Sequence, residues 1–470
     1  MKYKTTPLKH QESALGRFVD QPYGALFCEM GTGKTKIMLD ILGNNDSQDI
    51  LVAAPNGLHF NWGAIEIPKH FPEEECEVYT WKGMPTSKVR KQDLKHFIKC
   101  EAKYRFLLIN VEALRTKNGY GLAENFLASD RNKQFVIDES TCIKNPKAQQ
   151  TRSVLKLAQM CHKRWILNGT PITQGPLDLF SQCKFLSRDA IPYSTYTAFK
   201  HKFAVETTMT MGQRSFNKII GYQNLEELTK LLEPFSLRLE KKDCLDLPDK
   251  TFTTMAVELE TEQEQVYKRM KDDCIVEFES GNIVTATMAL TKLVKLHQIL
   301  TGFVMTDDGQ AVSLKNNRIK ALLQIAETSR PLVIFCAYKQ NVLQVQEALS
   351  EVYGKDSVVV YSGDTASTNR TEAIRKFQDG EAKFFIGTSA AAKGLTLHRA
   401  STMVYYSNNY SLETRLQSQD RIHRIGQNHK CTYIDLVVPQ SLDESILKRL
   451  LQKKELSSEV LDNLIDLIKQ

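Results

Sequence analysis

The stretch "GALFCEMGTGKTKIML", Gly24–Leu39, decides how the rest of the chain is read. A short apolar run ending at Cys28 leads into Met30, Gly31, Thr32 and Gly33, then Lys34 and Thr35, then an amphipathic segment. In a phosphate-binding loop, backbone N–H groups at a helix N-terminus surround the phosphates, so glycines must permit close approach. Lys34 is placed to neutralise β- and γ-phosphates, and the Thr35 hydroxyl to hold magnesium. The full pattern asks for a glycine six residues before the lysine, and Cys28 stands there. At a strand exit a small side chain suffices. Strand, loop, Lys-Thr pair and helix together predict a nucleotide site; the competing reading is a plain glycine turn between strand and helix.

Such a loop needs an acidic partner at the end of another strand, and "QFVIDES" supplies one. Asp138 is placed to bind magnesium through water and Glu139 to polarise an attacking water.

Further short apolar runs surround these two. "ILVAA", "FLLIN" and "RWILN" join the first half; "PLVIFC", "SVVVYS", "KFFIGT", "TMVYYS" and "YIDLVV" fill the last third. Continuous apolar strands separated by helical spacing predict parallel sheets covered on both faces, and two series predict two α/β domains. Residues 176–236 and 258–302 show no strand runs and read as helical; Leu290, Leu293, Leu296 and Leu300 share one helix face. "LDLPDK" (Leu245–Lys250) reads as linker.

Composition narrows the class. The 470 residues are 42% hydrophobic and 25% charged, an ordinary globular balance. No apolar run reaches the roughly 18 residues that span a bilayer, and the start "MKYKTTPLKHQESAL" has no signal-peptide core. The expectation is a soluble intracellular protein without a membrane partner. Ten cysteines carry no CxxC pair and no zinc spacing, which predicts reduced thiols. The net charge of +7 permits a polyanionic partner without requiring one.

Taken in order, the motifs resemble those of the Swi/Snf family of superfamily-two helicase-like ATPases. "LKHQESAL" is similar to its N-terminal Gln motif, "CEMGTGKT" to "DEMGLGKT", and "VIDESTCIKNP" to "DEAHRIKNP", with Ser140 and Thr141 replacing Ala-His. "APNGLHFNW", "LNGTPITQGPLDLFSQCKFL" and "FSLRLEKKDCLDLPDK" follow in place. "YSGDTASTNRTEAIRKF", "GTSAAAKGLTLHRAS" and "RLQSQDRIHRIGQ" resemble the second half, so the resemblance runs from Gln11 to beyond Gln427. Cys28 then stands where the family has aspartate. Ala391, Ala392 and Lys393 depart from Gly-Gly-Leu, Thr396 replaces Asn, and Tyr410 stands for a tryptophan.

The resemblance implies two RecA-like parallel-sheet lobes with helical insertions: 1–240 for the first, with an insertion at 176–236; 241–310 for a linker and helical protrusion; 311–470 for the second. It implies ATP and magnesium as cofactors, Gln11 as adenine reader, and Arg424 as a trans-acting arginine assisted by Arg421 and Gln417. Three residues apart, the arginines would share one face if helical. Gly169, Thr170, Thr388 and Gly394 would couple hydrolysis to lobe movement. Lys144, Arg370, Thr388 and Lys393 would contact a nucleic-acid backbone. The implied activity is DNA-dependent ATP hydrolysis with translocation on duplex DNA or remodelling of protein–DNA complexes, without strand separation.

A strand-separating DNA or RNA helicase, and an ATP-gated module that displaces an unidentified protein partner, stay open beside it. A small-molecule kinase leaves the second half unexplained. No bromodomain-, chromodomain- or SANT-like segment is legible. The bare-motor size points to a cytoplasmic bacterial or viral protein, or a nuclear one in a eukaryote.

Overall fold

The computed structural model describes every residue except 1–2, 212–213, 280–285, 307, 330, 364, 366, 393–394 and 470. Met1–Thr207, Asn217–Asp246 and Lys453–Gln470 form one compact unit; Thr208–Phe216 and Leu247–Gln452 form another.

The first unit is built on β1 (Tyr23–Cys28), β2 (Asp49–Ala54), β3 (Cys76–Thr80), β4 (Tyr104–Asn110), β5 (Lys133–Asp138) and β6 (Lys163–Leu167). After a two-stranded sheet of β7 (Ala204–Met211) and β8 (Arg214–Tyr222), β9 (Ser236–Leu239) completes it. The order is β3-β4-β2-β5-β6-β1-β9, and every pairing is parallel. Alternation explains why the strands read as continuous apolar runs. Ala25, Phe27, Leu51, Ala53, Phe135 and Ile137 enter the core on one face, while Leu26, Cys28, Ile50, Val52 and Val136 enter the core on the other. Helices α1 (Lys9–Phe18), α2 (Lys34–Asn44), α3 (Gln149–Ala158) and α4 (Leu179–Leu186) belong to this unit.

The second unit repeats the plan. β10 (Lys250–Ala256) opens it, and β11 (Phe303–Met305) pairs antiparallel with β12 (Ala311–Ser313). β13 (Leu332–Phe335), β14 (Val358–Tyr361), β15 (Phe384–Gly387), β16 (Thr402–Tyr405) and β17 (Cys431–Val437) follow. The sheet order is β10-β17-β16-β13-β15-β14, again all parallel, with a core on each face. Among the described residues, no helix is long and apolar enough to cross a membrane.

Three expectations need correction. Residues 176–236 are not wholly helical, because β7, β8 and the start of β9 fall there. The first two escape a search for apolar runs because they are exposed, with Val205 and Ile220 at the surface. The stretch 241–310 is not only linker and protrusion, since β10 is an edge strand paired with β17. Its half-exposed "KTFTTMA" lacks the apolar continuity of a central strand. Finally, 453–470 groups with the first unit and not the second. The helix Leu442–Lys469 has 28 residues, and at 1.5 Å per residue it is about 42 Å long.

Candidate nucleotide site

In the first sheet, β5, β6, β1 and β9 are consecutive neighbours. Their C-terminal ends therefore deliver Asp138, Asn168, the loop after Cys28, and Glu240 to one edge. That edge is where open parallel sheets bind ligands.

The loop is shaped by backbone more than by side chains. Gly31 has φ +92° and Gly33 has φ +86°, the left-handed region that costs glycine nothing. Thr32 is buried, and both its N–H (3.2 Å) and its hydroxyl (2.8 Å) donate to the Glu29 carbonyl, tightening the turn. The Glu29 carboxylate in turn accepts the Lys241 N–H at 2.8 Å, which ties β9's exit to the loop. Gln11, buried in the first turns of α1, accepts the Leu8 N–H at 2.9 Å and donates to the Thr32 carbonyl at 3.4 Å. His10 Nε2 lies 2.9 Å from the same carbonyl.

A Cβ on Gly33 would fall 2.2 Å from Gln11 Nε2, whereas one on Gly31 would meet Lys241 Cε at 3.5 Å. Both substitutions carry backbone strain of about 1–3 kcal/mol, but only the first also displaces a buried amide. Gly33→Ala is therefore expected to lower the urea midpoint more than Gly31→Ala. Equal midpoints would show that Gln11 does not brace the loop.

Lys34 reaches both acids. Its ammonium lies 2.5 Å from Glu139 Oε1 and 3.7 Å from Asp138 Oδ1. Burial acts to lower the ammonium's pKa, but the charges of Glu139 and Asp138 outweigh it and hold it above its ordinary value. Asp138 is fixed at both oxygens: Trp62 Nε1 donates to Oδ2 and the Glu139 N–H to Oδ1, each at 3.0 Å. Burial raises its carboxyl above the usual range against the pull of Lys34. Glu139 has φ +52°, rare for a residue with a side chain. The Thr35 hydroxyl and Asp138 carboxylate are hard oxygen donors of the kind magnesium takes, so the donor set fits that ion. Cys28 is fully buried within the strand, and burial pushes its thiol up to about 12, so it stays a neutral core residue.

A buried polar network backs the acids. Ser140 Oγ donates to Gln182 Oε1 at 2.5 Å, and Asn168 Nδ2 donates to Ser140 Oγ at 3.2 Å. Gln182 Nε2 donates to the carbonyls of Pro171 (2.9 Å) and Asp178 (2.8 Å). Thr170 N–H donates to Asn168 Oδ1 at 2.8 Å. A Cβ on Gly169 would stand 3.3 Å from the Cys28 carbonyl and 3.4 Å from the Met30 nitrogen, so this turn packs on the loop's backbone. Lys144 donates to Thr173 Oγ1 at 2.6 Å and lies 4.0 Å from Asp178, turned toward this same segment.

The second unit gathers its own set. Arg421 and Arg424 each donate through Nη1 to the Leu395 carbonyl at 2.9 Å, and Arg421 Nε donates to the Gln417 carbonyl at 2.9 Å. They do not share a helix: α5 (Leu412–Gln419) ends before them. A common carbonyl acceptor in the following turns brings them together. Gln417 is buried and donates to Glu413 at 3.2 Å. Thr388 N–H donates to the Tyr361 carbonyl at 3.3 Å, and Arg370 lies 5.4 Å over the Tyr361 ring and donates to the Gly363 carbonyl at 2.6 Å. Lys393 and Gly394 lie outside the described residues.

The reading of the sequence missed Trp62, Glu29, Asn168 and Gln182. Each makes its contact across many residues of chain or through backbone, so no local spacing announces it.

A model of the SNF2-related domain matches residues 11–305, and one of the helicase conserved C-terminal domain matches 315–426. The chain belongs to the SNF2-related family. This SNF2-related chain is 25% identical over 467 residues to the nuclear protein STH1/NPS1 of Saccharomyces cerevisiae, covering 93% of this chain and 33% of that protein. It is 25% identical over 456 residues to the uncharacterized ATP-dependent helicase MG018 of Mycoplasma genitalium, covering 94% and 40%. It thus spans about a third of the length of such relatives. A solved Sulfolobus solfataricus SWI2/SNF2 ATPase core in complex with dsDNA is 24% identical with a TM-score of 0.43, covering 97% of this chain and 93% of that one.

Proposed function

We propose that this SNF2-related chain is an ATP-hydrolysing motor that acts on duplex DNA, translocating along it or remodelling protein–DNA complexes without separating strands. The observation that carries the reading is the convergence of Lys34 with Asp138 and Glu139 beside a left-handed glycine loop. In this reading Met30–Thr35 cradle the phosphates, Lys34 binds β- and γ-oxygens, and Gln11 serves the adenine end. Glu139 takes the proton of the attacking water. Magnesium, when bound by Thr35 and Asp138, would neutralise charge across the phosphates. Arg424, with Arg421 and Gln417, would stabilise charge on the transferred group. Gly169, Thr170, Thr388 and Gly394 couple the chemistry to movement, and Lys144, Arg370 and Lys393 serve the DNA backbone. The net charge of +7 suits that partner.

Steady-state ATPase rates without nucleic acid, and with duplex DNA, single-stranded DNA or RNA, test it. Duplex DNA is expected to stimulate most, with Lys34→Ala silent. For about six phosphate contacts, affinity for the duplex should fall roughly 10³-fold between 50 and 200 mM salt. Stimulation by single strands or RNA alone would replace the duplex motor with a helicase.

A further inference from the structure

The first unit holds a second concavity, of about 960 Å³, away from the phosphate loop. Its key group is Arg164. On β6, Arg164 and Ile166 point to the same side of the sheet, and Ile166 is part of the core on that face. The strand pairs on both sides, with β5 and with β1, so this is an interior position where alternation calls for an apolar residue. Arg164 Nε is buried without a hydrogen-bond partner among the described residues, and so is Ser181 Oγ on α4, which lines the same cavity. Buried polar groups are almost always satisfied, so two orphans among the residues lining one concavity are unusual.

The surrounding charge names its sign. Lys184 and Arg188 join Arg164 on the wall, against the single carboxylate of Asp189, leaving an excess of two positive charges. Burial depresses the pKa of Arg164, and that of Lys184 against the pull of Asp189, while the Lys184 ammonium donates to the Arg188 and Ile191 carbonyls. An aromatic wall stands beside them: Phe180 and Tyr196 meet edge to face at 5.6 Å between centroids. Arg164 lies near the start of β6, whereas Gly169 and the loop it packs on lie beyond that strand's other end.

We propose that this cavity is a binding site for a small organic phosphate, a phosphomonoester carried on a planar ring. The dianion takes the Arg164 fork and the Ser181 hydroxyl, and the ring lies against Phe180 and Tyr196. A guanidinium matches phosphate in a bidentate way that a point charge does not.

The proposal does not depend on the nucleotide reading, so it is tested in Lys34→Ala protein, where the phosphate loop has lost its lysine. Phenyl phosphate is titrated by calorimetry, with inorganic phosphate and phenol as comparison arms. One saturable site is expected for phenyl phosphate, weaker binding for inorganic phosphate and none for phenol. Adding Arg164→Leu should raise Kd about tenfold or more, as loss of a charge-assisted pair does. Arg188→Ala, at an exposed position that cannot threaten folding, should raise it about threefold, a typical exposed-pair effect. Absence of saturable binding overturns the proposal, as does a Kd unmoved by either substitution. Equal affinity for inorganic phosphate overturns the aromatic half.

Discussion

Glu139→Gln is expected to leave ATP binding intact and to reduce turnover by about 10²–10⁴, the usual worth of a positioned general base. Glutamine keeps the shape and can still meet Lys34, but it cannot take a proton. The backbone at Glu139 is held at φ +52°, a conformation costing about 1–3 kcal/mol, and such strain persists where the surroundings over-determine it. Here the N–H bond to Asp138 and the neighbouring Ser140–Gln182–Asn168 network supply that determination. Fluorescent-nucleotide binding beside steady-state hydrolysis checks the split. A variant that hydrolyses at the parental rate removes Glu139 from the chemistry.

Arg424→Lys should keep the fold and nucleotide binding and lose about 10³–10⁵ of the rate, the range for a trans-acting arginine. The two arginines differ in their surroundings. Arg421 is 4% exposed and donates to two backbone carbonyls, so its replacement acts first on stability. Arg424 is half-buried and donates to the Leu395 carbonyl through Nη1, and its guanidinium is a rigid plane. Lysine keeps the charge but not the plane. Turnover that survives in a folded Arg424→Lys protein would pass the role to Arg421. Thermal unfolding of both single variants separates the two cases.

Much of this was legible in the sequence for one reason: central parallel strands bury both faces. All ten apolar runs became strands of the two large sheets, and the loop and acid motifs sit at strand ends. Edge strands β3 and β10 were illegible, unlike the apolar edge strand β14. β3 is half-buried throughout and β10 half-exposed, so neither has an apolar run to read. The site divides along the same line. Lys34, Asp138 and Glu139 follow from residue type and spacing, because their chemistry fixes both. Trp62 reaches Asp138 across 76 residues of chain, and Gln182 and Asn168 reach the neighbouring Ser140 across 42 and 28, and an indole or amide carries no sign of its partner. The segment around Arg421 shows the opposite error. On a helix, three-residue spacing would put both arginines on one face, yet they lie beyond α5 and a shared carbonyl acceptor does the gathering.

The 2.5 Å pairing of Lys34 with Glu139 makes the two groups an interlock. An ammonium has only three donors, and a phosphate arriving at Lys34 draws on the charge that now neutralises the carboxylate. In the proposed reading, the acid that would abstract a proton is held by the same cation that would meet the phosphate, so loading one group would release the other.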